Sequence, residues 1–493
     1  MATLGWFKPA PALLFFGLGL ATPARAIEEL RLRLPLLQQN LSARVSELAT
    51  PEALWAGSSD LAELNLATNG EYARSIQELL NTPLPLQNDA DSAMAQQGEL
   101  LLRRLIDVDP GQHQQLTSEP VLAGLKAAKA KAPGDKVTLL SLLQAIPGES
   151  VTIRLDRALP YLQRLKAQQL AMDQLIPSFA KAGPAAAAQL KPGRFPIKTE
   201  VVSLTVEGQA EPVEVTLVRP VGAPSLPPVL ISHGLWSSPS SFLGWAQHLA
   251  SHGAAVFWPR HAGSDVNQQA AMLSGQAAPP EPQEFLRRPR EVKAVLDALE
   301  AGSFPGAEGI APRNVVFIGH SWGATTALQL AGARSRSTDL WKSCADPDHP
   351  KRNISWVLQC SFLSAAIPDS LADRRISRVA AVSPPQGLVF AAGLADLQVP
   401  VLVVSGSRDL VVPAQPEALS PFSQYPRLAN QLVLVEGGTH FNLPAAADSN
   451  GGPLRALLLR WVQGQPIDAS SGLADPAGLS MRLPPRPGPG AGG

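Results

Sequence analysis

The chain carries no excess of charge of either sign: lysine plus arginine number 41, and so do aspartate plus glutamate. Without a basic surplus, and with no basic cluster along its 493 residues, it has nothing to neutralise a phosphate backbone, and nucleic acid is not an expected partner. Cysteine is nearly absent. The two present, Cys344 and Cys360, sit in no C-x-x-C pair and no Cys/His cluster, so neither a metal site nor thiol redox chemistry is expected. No stretch beyond the N-terminus is long and apolar enough for a transmembrane helix, so no span is expected in the mature chain. Charged residues make up only 17% against 45% apolar, which suits a folded protein rather than a disordered one.

What is there begins with "MATLGWFKPAPALLFFGLGLATPARAIEEL". Lys8, a short apolar run from Pro11 to Leu20, and Ala24-Arg25-Ala26 have the layout of a secretory signal peptide over residues 1–26. Ten or so apolar residues are too few to cross a bilayer as an anchor. The protein is therefore expected to be exported, to the periplasm or beyond. In an oxidising compartment Cys344 and Cys360 can close a small loop worth roughly 3 kcal/mol. Two buried thiols would leave the same sequence trace, and at this point both readings stand.

Residues 27–180 read as a mainly helical domain. "DKVTLLSLLQAIPGES" carries Leu139, Leu140, Leu142, Leu143 and Ile146 before a Pro-Gly stop, and "LPYLQRLKAQQLAMDQLI" puts Leu162, Leu165, Met172 and Leu175 on one face. Between them "GESVTIRLDRA" alternates like a short extended segment. His113, the only histidine of this half, reads as a solvated loop side chain. "AKAGPAAAAQLKPGRFP" marks a linker over 181–197. From 198 to 465 the texture changes to a hairpin, then short apolar strands alternating with helices: "PPVLISHG", "GAAVFWP", "RNVVFIGH", "RVAAVSPP", "VPVLVVSG" and "NQLVLVEGG". That pattern predicts an α/β fold with a mostly parallel sheet covered by helices on both faces. An insertion over 334–375, holding both cysteines, is expected to cap the site. The Pro/Gly-rich tail 466–493 is expected to be disordered.

Active residues of such sheets lie on loops at the carboxyl ends of strands. In "FIGHSWGATT" an apolar strand ends, Ser321 stands between Gly319 and Gly323, and a helix begins. A chance G-x-S-x-G arises in roughly one chain of this size in five or six, so the motif alone is weak. Its strand–serine–helix context is the stronger signal, because a nucleophile elbow needs that turn. Serine also needs a base and a group to orient it. His440, in "LVEGGTHFN", and Asp409, in "VLVVSGSRDLVVP", each follow a strand, in the order Ser, Asp, His. Asp396 precedes its strand and Glu436 lies too close to His440, so Asp409 is preferred for the acid. Backbone N–H groups of Trp322 and Leu235, with Trp236 next, are the expected oxyanion donors. His233 and His261 read as loop braces, with lining of the pocket mouth the second reading for His261. Leu235, Trp236 and Trp322 would put apolar bulk beside an acyl group.

These motifs, "SHGLW", "GHSWG", "SGSRD" and "GGTHF", make residues from about 200 to 465 resemble the α/β-hydrolase superfamily, nearest its dienelactone-hydrolase-like and platelet-activating-factor-acetylhydrolase-like members. Dienelactone hydrolases proper carry a cysteine where Ser321 stands, so the likeness implies fold and not substrate. "VTLLSLLQAIPGESVTIRLDRAL" resembles a domain of unknown function that precedes such hydrolases in photosynthetic bacteria. The same group pairs a cysteine near "WKSC" with one in "VLQC", which implies a Cys344–Cys360 bridge. The reading is a cofactor-free, metal-free serine hydrolase acting on a small-molecule or lipid ester, with protein partners open. An acyltransferase, thioesterase or peptidase would use the same groups, and a non-catalytic binding protein would keep only the fold.

Overall fold

In a computed structural model the described residues are 26–485, apart from 34–39, 68, 71–79, 82–105, 110, 112–118, 132–136, 155–166, 274–275, 336, 347–348, 350, 364, 366–369 and 426–429. Residues 1–25, the expected signal peptide, His113 and the end of the tail lie outside them.

The first 180 residues hold a small core of their own. Helices Pro51–Trp55, Asp60–Ala67, Glu119–Lys131 and Leu139–Ala145 are joined by a four-stranded sheet that the helical reading did not include. Strand Glu29–Arg33 lies beside Ser150–Arg154 in parallel and Asn40–Arg44 in antiparallel, and Ile106–Asp109 closes the other edge. Only Ser150–Arg154 had shown a sequence signal, as the alternating "GESVTIRLDRA". Strand alternation over four or five residues is too short to register beside longer leucine-rich helical stretches. Leu142, Leu143 and Ile146 of the leucine-rich stretch fill this core against Leu30, Val108 and Val151.

From Ala180 the chain builds a ten-stranded sheet. Its strands are β1 Ala180–Lys181, β2 Ile197–Leu204, β3 Val213–Pro220, β4 Val229–Ser232, β5 Val256–Pro259, β6 Val315–His320, β7 Ile376–Val382, β8 Val401–Gly406, β9 Gln431–Val435 and β10 Met481–Leu483. The spatial order is β1-β10-β9-β8-β7-β6-β4-β5-β3-β2. The six central strands, β9 through β5, run parallel, and antiparallel pairs form both margins. Val229–Ser232, Val256–Pro259, Val315–His320 and Val401–Gly406 are buried throughout, which is why they read as unbroken apolar runs. One face packs on α2 (Glu284–Glu300) and α3 (Trp322–Leu330), the other on α1 (Leu243–Ser251) and α6 (Arg455–Val462).

Two expectations need correction. The stretch 181–197 is not a free linker: Ala182 N–H donates to the Met481 carbonyl, Phe195 N–H to Ser251, and Arg455 reaches the Leu190 carbonyl at 2.9 Å. Its alanines and prolines are small rigid pieces of an ordered edge rather than a hinge. The tail is likewise ordered as far as β10, where Met481 and Leu483 bury themselves against β9. Two apolar residues two apart suffice to seat this short strand near the sheet margin, a signal masked by the surrounding Pro and Gly.

Within 334–375, α4 (Ser337–Ala345) and α5 (Trp356–Ser361) are joined by a Cys344–Cys360 disulfide with 5.7 Å between the Cα atoms. Buried Glu417, beyond β8, accepts hydrogen bonds from Asn353 and Gln359 of this insertion and from the Gln386 and Gly387 N–H groups after β7. The disulfide thus ties the insertion's two helices to each other, and Glu417 fastens the insertion to the sheet's loops. Replacing both cysteines by serine should cost about 3 kcal/mol, as expected for opening a loop of this size. Denaturant unfolding of the two proteins, monitored by tryptophan fluorescence, gives the difference; an unchanged midpoint would mean that Glu417 alone holds the insertion.

Candidate active site

Each predicted residue sits just past the end of a central parallel strand. Ser321 follows β6 with φ 54° and ψ −124°, a left-handed conformation that L side chains rarely adopt. The turn is tight because backbone crosses backbone: a Cβ on Gly319 would lie 2.2 Å from the Gly323 carbonyl oxygen, and one on Gly323 would lie 2.0 Å from that of Ser232. Only glycine fits either position, so the spacing G-x-S-x-G is a packing requirement of this turn. The Ser321 N–H is held by the Val382 carbonyl at 2.9 Å, tying the elbow to β7.

Asp409 lies after β8 and His440 after β9. His440 Nδ1 donates to Asp409 Oδ2 at 2.9 Å, and both side chains are buried. The other carboxylate oxygen accepts from the N–H groups of Val411 and Val412 at 2.9 and 2.7 Å. Asp409 is therefore fixed by its own loop before it meets the imidazole. The two loops are laced together, Arg408 N–H donating to the Gly438 carbonyl at 2.7 Å and Gly437 N–H to Ser407 Oγ at 3.0 Å. Behind the acid loop, helix 167–175 closes in, with Gln169 donating to the Ser407 carbonyl and Asp173 paired with Arg408 at 2.9 Å.

Ser321 and His440 make no direct hydrogen bond in this conformation. They are linked through His320, whose Nε2 donates to the His440 carbonyl at 3.0 Å and whose ring lies 4.8 Å from the His440 ring. Burial, with His440 adding to it, drives the His320 pKa well below the ordinary histidine value, so that ring stays neutral. Sequence reading had missed this brace, because a histidine next to the serine carries no spacing signal of its own.

Two backbone N–H groups near Ser321, those of Trp322 and Leu235, have no acceptor among the described residues. Trp322 is the first residue of α3, so its N–H has no helical acceptor. Of the loop 233–236, Trp236 N–H is spent on the Ser264 carbonyl at 2.8 Å, which removes the second choice. Leu235 N–H has no partner among the described residues. A Cβ on Gly234 would lie 3.0 Å from Ser321 Cβ, so this loop borders the serine directly.

Two side-chain expectations change, the second reading for His261 and the apolar bulk of Trp322. His261 does not line the pocket mouth: it is fully buried, bonded to Ser232 Oγ at 2.8 Å and to Glu291. Its backbone N–H donates to His233 Nε2 at 3.0 Å, so the two histidines brace one another behind the loop. Burial, reinforced by Arg288, lowers both pKa values far below the usual range and keeps both rings neutral. Burial likewise pushes the Glu291 carboxyl up to about 7. The Trp322 indole turns into the core between Phe362 and Arg288. Trp236 is half-buried with its Nε1 donating to Gln268 at 2.8 Å. The rival acids are engaged elsewhere, Glu436 with Arg482 at 3.0 Å and Asp396 near Arg334 at 3.6 Å.

Among the described residues no three His, Cys, Asp or Glu side chains converge as a metal site would require, and no helix is long and apolar enough to cross a membrane. No curated protein matches the chain. Residues 229–449 match the family model described as the alpha/beta hydrolase family, and the six parallel strands with their strand-end loops give this region the α/β-hydrolase fold.

Proposed function

We propose that the protein is an exported serine hydrolase of carboxylic esters that works through an acyl-enzyme. The observation that carries the reading is the buried His440–Asp409 pair at 2.9 Å beside a serine held at positive φ between two obligatory glycines. With its Nδ1–H held in a hydrogen bond to the Asp409 carboxylate, His440 presents Nε2 as a base. It takes the Ser321 proton as Oγ adds to the ester carbonyl. The resulting oxyanion is received by the N–H groups of Leu235 and Trp322. The tetrahedral adduct collapses, the C–O bond to the alcohol breaks, and His440 returns the proton to that oxygen. Water, deprotonated by the same imidazole, then releases the acid and restores Ser321. Export is supported by the N-terminal pattern and by the Cys344–Cys360 bridge, which persists in an oxidising compartment. An apolar acyl group is supported by Leu235 at the border of the serine, although not by the Trp322 indole.

The test is covalent labelling of the mature protein with a fluorophosphonate, followed by peptide mapping. A single phosphonylated residue, Ser321, is the expected result, with hydrolysis of short-chain aryl esters in the same preparation. A folded protein that takes up no label would overturn the reading. Added alcohol acceptors that divert product into new esters would redirect it to acyl transfer.

A further inference from the structure

We propose that Arg288 is a positioning residue that holds both oxyanion donors in place, a role that rests on the serine-hydrolase reading above. Arg288 is the one fully buried arginine of α2, and its guanidinium lies directly behind the loop 233–236. Nη1 donates to the His233 carbonyl at 2.6 Å, and Nη2 reaches the Gly234 carbonyl at 3.4 Å. Nε and Nη2 grip Ser264 Oγ at 3.0 and 2.9 Å, and the Ser264 carbonyl is the group that holds Trp236 N–H. One planar fork therefore fixes the loop on both sides of Leu235.

The consequence follows from peptide geometry. In a trans peptide the C=O and the next N–H point in opposite directions. The Gly234 carbonyl is drawn toward Arg288 and also accepts from His233 Nδ1 at 2.8 Å. Leu235 N–H must then point to the other side of the loop, where Ser321 stands. The second donor is fixed by the same group, because the guanidinium carbon lies over the Trp322 indole ring, 4.3 Å from its centre. Trp322 contributes its N–H from the first position of α3, so locking its side chain locks the start of that helix. Cationic Arg288 also polarises the carbonyls it holds, which strengthens the adjoining N–H groups as donors.

The charge of Arg288 is offset at longer range by the carboxylates of Glu284, Glu291 and Asp265, so its direct contacts are left to fix position. Among the described residues Arg288 forms no ion pair; its five donor contacts go to neutral oxygens. Glu284 shares Ser264 Oγ with it, accepting from that hydroxyl at 2.9 Å, and acts on the guanidinium at longer range. The carboxylates offset the cost of burying the cation, and the five direct contacts decide where the guanidinium sits.

The experiment compares the mature protein with Arg288→Met, which fills the space without charge or donors, and Arg288→Lys, which keeps charge but loses the fork and the flat face. Hydrolysis of p-nitrophenyl butyrate and the rate of fluorophosphonate labelling are measured per labelled serine, beside thermal unfolding. Arg288→Met should lower kcat and the labelling rate about 100-fold with KM within about threefold, the signature of support lost in the transition state alone. Arg288→Lys should lose about tenfold. A trifluoromethyl ketone should lose affinity in proportion to kcat. Unchanged kcat per labelled serine, whatever happens to the melting temperature, would reduce Arg288 to a purely structural residue and overturn the proposal. If Arg288→Met is not recovered folded, Arg288→Lys decides by the same criterion. Failure of the parent reading looks different: the unsubstituted protein takes no label, and this role falls with it.

Discussion

Ser321→Ala should lower kcat for ester hydrolysis by about a million-fold, leaving only the small rate that a bound substrate gains from its surroundings. The size of the loss follows from what the serine does. Without Oγ no acyl-enzyme forms, and His440 has no nucleophile to deprotonate except a water that is not positioned for attack. Alanine keeps the backbone at φ 54°, since it tolerates that region no better than serine, and the Gly319 and Gly323 crossings are untouched. The melting temperature should therefore move little, so the loss is not confused with unfolding. Ser321→Gly, by contrast, should abolish activity equally while raising stability by about 1 kcal/mol or more, because glycine relieves the strained conformation. Steady-state assay and thermal unfolding of the three proteins measure both effects. A residual rate within about a hundredfold of the original would mean that another group attacks.

How much of this could be read from the sequence depended on whether a residue acts through its neighbours in the chain or across the fold. The six parallel strands were legible because burial on both faces writes them as unbroken apolar runs. Ser321, Asp409 and His440 were legible because each stands immediately after such a run. Arg288 was harder, yet a trace exists: Phe285, Arg288, Val292 and Val295 share one face of α2, and an arginine on an apolar stripe signals a buried, bonded charge. His261 was read with its neighbours in the loop, while its partners, Ser232 and Glu291, are about 30 residues away on other elements. Glu417 left no trace, since five of its contacts come from two separate loops and from α5. The N-terminal sheet was missed for a different reason: its strands are four or five residues long, less than the span over which a period of two stands out.

Asp409→Asn should lower kcat about ten-thousand-fold with little change in substrate affinity. The argument lies in the two oxygens of the carboxylate. Oδ1 accepts from the N–H groups of Val411 and Val412, which fixes how an amide must sit in its place. The amide oxygen takes those two donors, and the NH2 group is left facing His440 Nδ1. Two donors cannot share that contact, so Nδ1 must give up its proton and become the acceptor. The imidazole then carries its proton on Nε2, the nitrogen that should remove one from Ser321, and the base is in the wrong tautomer. The imidazolium formed during attack also loses its counter-charge. Because the asparagine keeps the loop bonds, the variant should fold and bind ester much as before, and its labelling by fluorophosphonate should slow in step with kcat. Asp409→Ala separates the two contributions: it should be as slow, but also less stable, since the Val411 and Val412 donors are left buried without acceptors. A loss smaller than about tenfold in Asp409→Asn would move the orienting role to another carboxylate. Glu436 and Asp396 would have to leave Arg482 and Arg334 to take it, so that outcome would show as a dependence of activity on those two arginines.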